Sequence, residues 1–219
     1  MESIGSWAFN RCSSLTSLVL PTSIKRIGRK AFASSGLETS VKDFFLSAKD
    51  YSTSGSIKQE KFALIWVYGS SKTDYTVDSS TRVIAGDAFA DCTQLKSLTL
   101  PFVGSTSLFA NNWNDWARFA YLFEYYGETK PDETLSFYAV TIGTNYYRLP
   151  TSLKTIILNN DTVTGGHIAA SAFWGCKYIE NITIGQGFST INSNAFADCN
   201  NLITINLSSE ITDIKDTAF

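Results

Sequence analysis

The sequence predicts an α/β repeat solenoid, a parallel strand ladder with short helices interrupted by insertions, and three observations carry that expectation. The first is a recurrence. Ile-x-x-x-Ala-Phe occurs six times, at Ala8, Ala31, Ala88, Ala172, Ala195 and Ala218, with successive alanines 23, 57, 84, 23 and 23 residues apart. The second lies just downstream of the phenylalanine. In four units a cysteine stands three residues on and an aliphatic residue six on: Cys12 with Leu15, Cys92 with Leu95, Cys176 with Ile179, Cys199 with Leu202. The third is a change of period inside each unit. Ala8, Cys12 and Leu15 share one face of a helical turn, whereas Leu18 and Leu20 alternate with Ser17 and Val19 as a strand does. Neither piece can bury its apolar side alone, so the units must stack, with strands about 4.8 Å apart.

Taken in order, the strand positions read Leu15-Leu18-Leu20, Leu95-Leu98-Leu100, Ile179-Ile182-Ile184 and Leu202-Ile205-Leu207. Leu18, Leu98, Ile182 and Ile205 are expected side by side in one buried ladder. Pro21 and Pro101 remove a backbone donor directly after two strands. The 57-residue gap holds two periods and 11 residues, and the 84-residue gap three periods and 15. In the first gap, FALIWV (62–67) is a candidate strand followed by the repeat-like YTVDSSTRVIAGDAF (75–89), and an insertion is expected at about 38–61. In the second, LPTSLKTIILNN (149–160) supplies another strand. Residues 101–150 read as an inserted subdomain, since they hold 13 of the chain's 30 aromatics. There Trp116, Phe119 and Phe123 have the i, i+3, i+7 spacing of a helix stripe facing a core.

These units resemble the BspA-like leucine-rich repeats, whose pattern L-x-x-I-x-I-P-x-x-L-x-x-I-G-x-x-A-F-x-x-C is legible in LTSLVLPTSIKRIGRKAFASSGL (15–37) and in ITIGQGFSTINSNAFADCNNLITINL (182–207). The resemblance implies one leucine-rich-repeat solenoid over residues 1–219. It also implies an extracellular or cell-surface setting and a role in adhesion or protein binding, and it supplies no catalytic residues. Neither end shows a polar cap, so the array is expected to be part of a longer one, continuing into further repeats. The first residues, MESIGSWAFNRCSS, lack the basic start and apolar stretch of a signal peptide, and none is expected in this chain.

Composition narrows the function. With 44% hydrophobic and 17% charged residues the chain can build a core, which excludes disorder. A net charge of -2 without a basic stripe argues against a nucleic-acid partner. The longest apolar run, Phe62 to Tyr68, is far short of the roughly 20 residues that cross a bilayer, so no membrane insertion is expected.

Few residues offer chemistry. The four cysteines share one repeat position, where neighbouring helices would stand about 10 Å apart, against the roughly 7 Å a disulfide tolerates between Cα atoms. They lack the C-x-x-C pairing of a zinc site. They are expected as reduced, buried thiols. His167 is the lone histidine and reads as a loop residue. The carboxylates Asp115, Glu124, Glu128, Asp132 and Glu133 read as solvated charges rather than a glycosidase pair. Sequons at Asn160, Asn181 and Asn206 matter only in a eukaryotic secretory host. No cofactor, metal or catalytic site is expected, and the chain is read as a non-enzyme.

The expected function is therefore a protein- or glycan-binding module of a cell-surface protein. The outward strand positions are the candidate ligand surface: Ser17, Val19, Ser97, Thr99, Thr155, Ile157, Asn181, Thr183, Thr204 and Asn206. Trp113, Tyr125 and Tyr126 of the aromatic insert are added because they fall near the ends of its stripe. The alternative is a structural spacer in a large surface protein, without a ligand of its own.

Overall fold

The computed structural model describes residues 1–37, 43–49, 58–104, 117–160 and 165–219, with the backbone alone at 58–60. Its first half contains β1 (Ser3–Ile4), β2 (Leu20–Pro21), β3 (Arg26–Ile27), β4 (Phe44–Lys49), β5 (Lys58–Trp66), β6 (Asp74–Thr76), β7 (Val83–Ile84) and β8 (Ser97–Leu100). A 3-10 turn at Phe119–Leu122 opens the second half. After it come β9 (Glu124–Gly127), β10 (Phe137–Ile142), β11 (Asn145–Pro150), β12 (Thr155–Leu158), β13 (Gly166–Ile168), β14 (Asn181–Ile184), β15 (Phe188–Ile191), β16 (Thr204–Leu207) and β17 (Asp213–Ile214).

The main ladder runs β6-β8-β12-β14-β16, all parallel. Its register puts Tyr75, Leu98, Ile156, Ile182 and Ile205 in one inward row. Leu98, Ile156 and Ile182 are fully buried. Ile205 is half-buried, because β16 is paired only with β14. A second parallel ladder, β13-β15-β17, carries Ile168, Ile191 and Ile214.

Leu18 departs from the expected row. It is half-buried in a separate N-terminal cluster with Ile4, Leu20, Ile27 and Phe32. The reason is the antiparallel pair β4–β5, which stands between the parallel partners β2 and β7 and ends one ladder before the next begins. FALIWV falls on the end of β5, and Ile156 and Leu158 of β12 are fully buried.

The short helices are a second correction. No α-helix occurs among the described residues; each A-F unit is a series of turns. The cause is backbone handedness. The residue before the alanine is left-handed in all of Trp7, Lys30, Asp87, Ser171, Asn194 and Thr217, with φ between 49° and 64°. So is the residue two after the phenylalanine in Arg11, Ser34, Gly175 and Asp198. A left-handed residue every fourth position breaks the i to i+4 bonding of a right-handed helix. The N–H groups instead donate between rungs: Trp7 to Arg29 O at 3.1 Å, Phe9 to Ala31 O at 2.7 Å, Ser171 to Ser193 O at 3.1 Å and Phe173 to Ala195 O at 2.7 Å.

Those turns align the phenylalanines into a stack. Phe173, Phe196 and Phe219 lie 5.2 Å apart between centroids with planes tilted by 13°. Between the turns at Phe89 and Phe173, residues of the 101–150 segment take over. Asp87 and Phe89 donate to Tyr121 O and Leu122 O, and Phe119 donates to Ala172 O at 2.8 Å. Phe119 is 4.9 Å from Phe173 and 5.1 Å from Phe123, which reaches Phe89 at 5.9 Å. Phe119 and Phe123 thus face inward, but from a 3-10 turn that leads into a three-stranded antiparallel sheet, β10-β11-β9, and not from a helix. Trp113 and Trp116 lie outside the described residues.

Three of the four thiols are buried and unbridged. Each of two rests on a carbonyl of the preceding rung, Cys92 on Val67 O at 3.9 Å and Cys199 on Phe173 O at 3.2 Å. Burial pushes both thiols up to about 12. Cys12 is the exception, being exposed.

Candidate functional site

The outward faces of the main ladder form two rows. Asp74, Ser97, Thr155, Asn181 and Thr204 make one, and Thr76, Thr99, Ile157, Thr183 and Asn206 the other. Parallel pairing brings each side chain about 4.8 Å from its counterpart in the next rung. Side chains at the ends of the rows, Asp74, Thr76, Thr204 and Asn206, are exposed, and the central ones are half-buried by their neighbours. The rows carry one carboxylate and no cation, so hydroxyl and amide groups dominate the face. Lys154 and Glu180 pair at 2.8 Å between adjacent rungs, one residue before the first row. Being a third exposed, this pair contributes under about 1 kcal/mol and serves mainly to border the face.

Eight of the ten strand residues expected on this surface are therefore together. Ser17 and Val19 are not, because β2 covers only Leu20–Pro21 and pairs with β4. Asp74 and Thr76 belong to the rows and escaped the sequence reading, although they stand one 23-residue period before Ser97 and Thr99.

The aromatics of the insert divide. Tyr126 is 48% exposed, with the Arg148 guanidinium 5.6 Å over its ring. Tyr125 is half-buried under Arg29, whose guanidinium lies 3.6 Å from the ring centroid, and its hydroxyl meets Asn145 Oδ1 at 3.2 Å. Its N–H donates to Asp87 Oδ1 at 3.1 Å. Trp113 is outside the described residues. Of the carboxylates in this segment, Glu124 pairs with Arg148 at 3.3 Å and Glu133 with Lys177 at 2.7 Å, Glu128 and Asp132 are exposed, and Asp115 lies outside the described residues. Lys177 holds the Glu133 carboxyl below its ordinary range, the reverse of what a general acid needs. His167 is exposed on β13.

Asp87 is 3% exposed, and burial pushes its carboxyl up to about 6 against the pull of Arg29 and the Tyr125 N–H. A carboxyl raised in the folded state adds stability below its unfolded value, and that contribution is lost as pH rises through about 6. Asp87→Asn should keep the bond from Tyr125 and suit the left-handed backbone there. It is expected to stabilise the fold at pH 7 by up to ~3 kcal/mol and to flatten the stability profile between pH 4 and about 6. Denaturant titrations of both proteins across that range check it.

The repeat profile described as BspA type Leucine rich repeat region matches the chain in six copies, over residues 1–52, 55–112 and 125–219. The chain belongs to this BspA-type family. No protein with a curated description matches by sequence. Among solved structures, the BspA-type chain is similar to a leucine rich cell surface protein from Faecalibacterium prausnitzii A2-165, with 19% identity over 95% of this chain and 58% of that one, at a TM-score of 0.37. It is similar also to the pneumococcal vaccine antigen PcpA, at 19% identity over all of this chain and 52% of the other, with a TM-score of 0.36. A leucine-rich repeat protein from Eubacterium ventriosum ATCC 27560 shares 17% identity over 100% of this chain and 79% of its own, with a TM-score of 0.32. The chain thus spans between half and three-fifths of the first two. Among the described residues, no helix is long and apolar enough to cross a membrane.

Proposed function

We propose that this chain is a non-enzymatic binding module of a cell-surface protein, and that its main ladder face takes a protein or glycan ligand. The observation that supports this is the register of the five parallel strands, which sets two unbroken rows of mostly small hydroxyl and amide side chains on one face. Such groups donate and accept, lose little side-chain entropy on binding, and impose no strong charge. Adhesion at a cell exterior is the role that the resemblance to BspA-like repeats implies. The experiment is a screen of defined glycans and purified extracellular proteins against the wild-type chain and a Thr99→Arg/Thr183→Arg variant. Loss of a bound ligand in the variant, with an unchanged unfolding midpoint, is the expected result. Equal binding by both proteins moves the ligand off the face, and no binding by either leaves the spacer role.

A further inference from the structure

The stacking of the A-F turns fails at one place. Phe9, Phe89, Phe173 and Phe196 each donate their N–H to a carbonyl of the following rung, at 2.7 to 2.9 Å. Phe32 does not: among the described residues no carbonyl accepts its N–H. The same holds for Lys30, whose counterparts Trp7, Asp87, Ser171 and Asn194 all donate onward. Phe32 is 2% exposed, and a buried N–H without an acceptor costs about 1–3 kcal/mol.

The defect has a geometric origin. Rungs that meet at Gly86 N–H and Ile27 O, 3.2 Å apart, part company on the phenylalanine side. There it is Val67, not Phe32, that donates to Ala88 O, at 2.8 Å. The two rungs diverge and leave a cavity of about 440 Å³. Its walls are equipped for recognition. Trp7 is 53% exposed, Trp66 is half-buried, and Arg11, Lys30 and Asp91 all line the same space. The Lys30 ammonium stands 5.5 Å over the Trp7 ring.

We propose that this cavity binds a sugar bearing a carboxylate. The carboxylate supplies the acceptors that the diverging rung does not offer to Lys30 and Phe32, in charge-assisted bonds strengthened by Arg11 and Lys30. The flat C–H face of the ring lies against indole, and Asp91 accepts from ring hydroxyls. The volume falls in the ordinary range for small ligands, roughly 300–1,000 Å³. A neutral sugar offers the orphaned donors no charged acceptor and leaves two cations facing the single carboxylate of Asp91, while an acidic peptide brings charge without the ring face. The site lies on the turn side of the solenoid and does not depend on the ladder face binding anything.

The test titrates the full chain with N-acetylneuraminic acid, glucuronic acid, N-acetylglucosamine and hexaglutamate, followed by tryptophan fluorescence and saturation-transfer NMR. At least one acidic sugar should bind saturably and at least tenfold tighter than the neutral one, and its affinity should fall as salt rises from roughly 0.05 to 0.5 M. Arg11→Gln/Lys30→Gln should weaken it at least tenfold with an unchanged unfolding midpoint. The ladder variant Thr99→Arg/Thr183→Arg should bind it as wild type does, which separates this site from the ladder face. Absence of saturable binding by either acid, equal binding of the neutral sugar, salt-independent affinity or an unaffected double variant overturns the proposal. Tighter binding of hexaglutamate also overturns it, in favour of an acidic peptide.

Discussion

Alanine at Phe119 should cost the fold about 3–5 kcal/mol, the range for truncating a buried phenylalanine. Phe119 is fully buried and touches Phe123 at 5.1 Å and Phe173 at 4.9 Å, so its removal opens a void in the middle of the aromatic stack. Aromatic pairs add roughly 0.5–1.5 kcal/mol beyond area burial, and two are lost at once. The residue also joins the 119–150 segment to the Ala172–Phe173 turn, through its N–H bond to Ala172 O. That bond survives the substitution, so stability should fall without a change of architecture. Urea titration of Phe119→Ala against Tyr126→Ala is the measurement. Tyr126 is 48% exposed and its loss should stay within about 1 kcal/mol. Equal losses at the two sites would mean that the stack contributes nothing beyond bulk.

The second large effect belongs to the ladder. Leu98→Ala should cost about 2–5 kcal/mol, because Leu98 is fully buried between the Tyr75 and Ile156 rungs and the parallel pairing leaves little room for collapse. The same truncation at Ile205, half-buried on a strand with one partner, should cost clearly less. In an array where each rung contacts only its neighbours, the penalty scales with the number of neighbours. Parallel denaturation of the two variants reads this directly, and a cost at Ile205 equal to that at Leu98 would contradict it.

Legibility in the residues was confined to whatever repeats. The shared repeat position of Leu98, Ile182 and Ile205 demands a shared environment, and those side chains share a row, whereas Tyr75, one period before Leu98, was not recognised as its neighbour. The turns were harder. Ala8, Cys12 and Leu15 do fall on one helical face, and nothing about Trp7, Lys30 or Ser171 announces a left-handed backbone, since glycine and asparagine are the usual markers. Inter-rung hydrogen bonds impose it from outside. Phe119 and Phe123 were rightly placed inward, but their spacing could not distinguish a helix from a turn running into a strand. Ser17 and Val19 failed as ladder residues because the antiparallel β4–β5 pair cannot be told from a degenerate rung by apolar content alone. The cavity beside Phe32 was invisible, because it depends on where two rungs diverge and no spacing between residues records that.

The Phe119–Leu122 turn has one more consequence, for continuity. It stands between the Phe89 and Phe173 turns, as β12 stands between β8 and β14, so residues 119–122 and 155–158 supply two sides of one rung. The excursion through β9, β10 and β11 leaves the solenoid in the middle of that rung and returns to finish it, and the strand ladder crosses the rung without a change of step. Alterations in length at the β10–β11 hairpin are thereby insulated from the outward rows, which can be kept while that sheet is rebuilt.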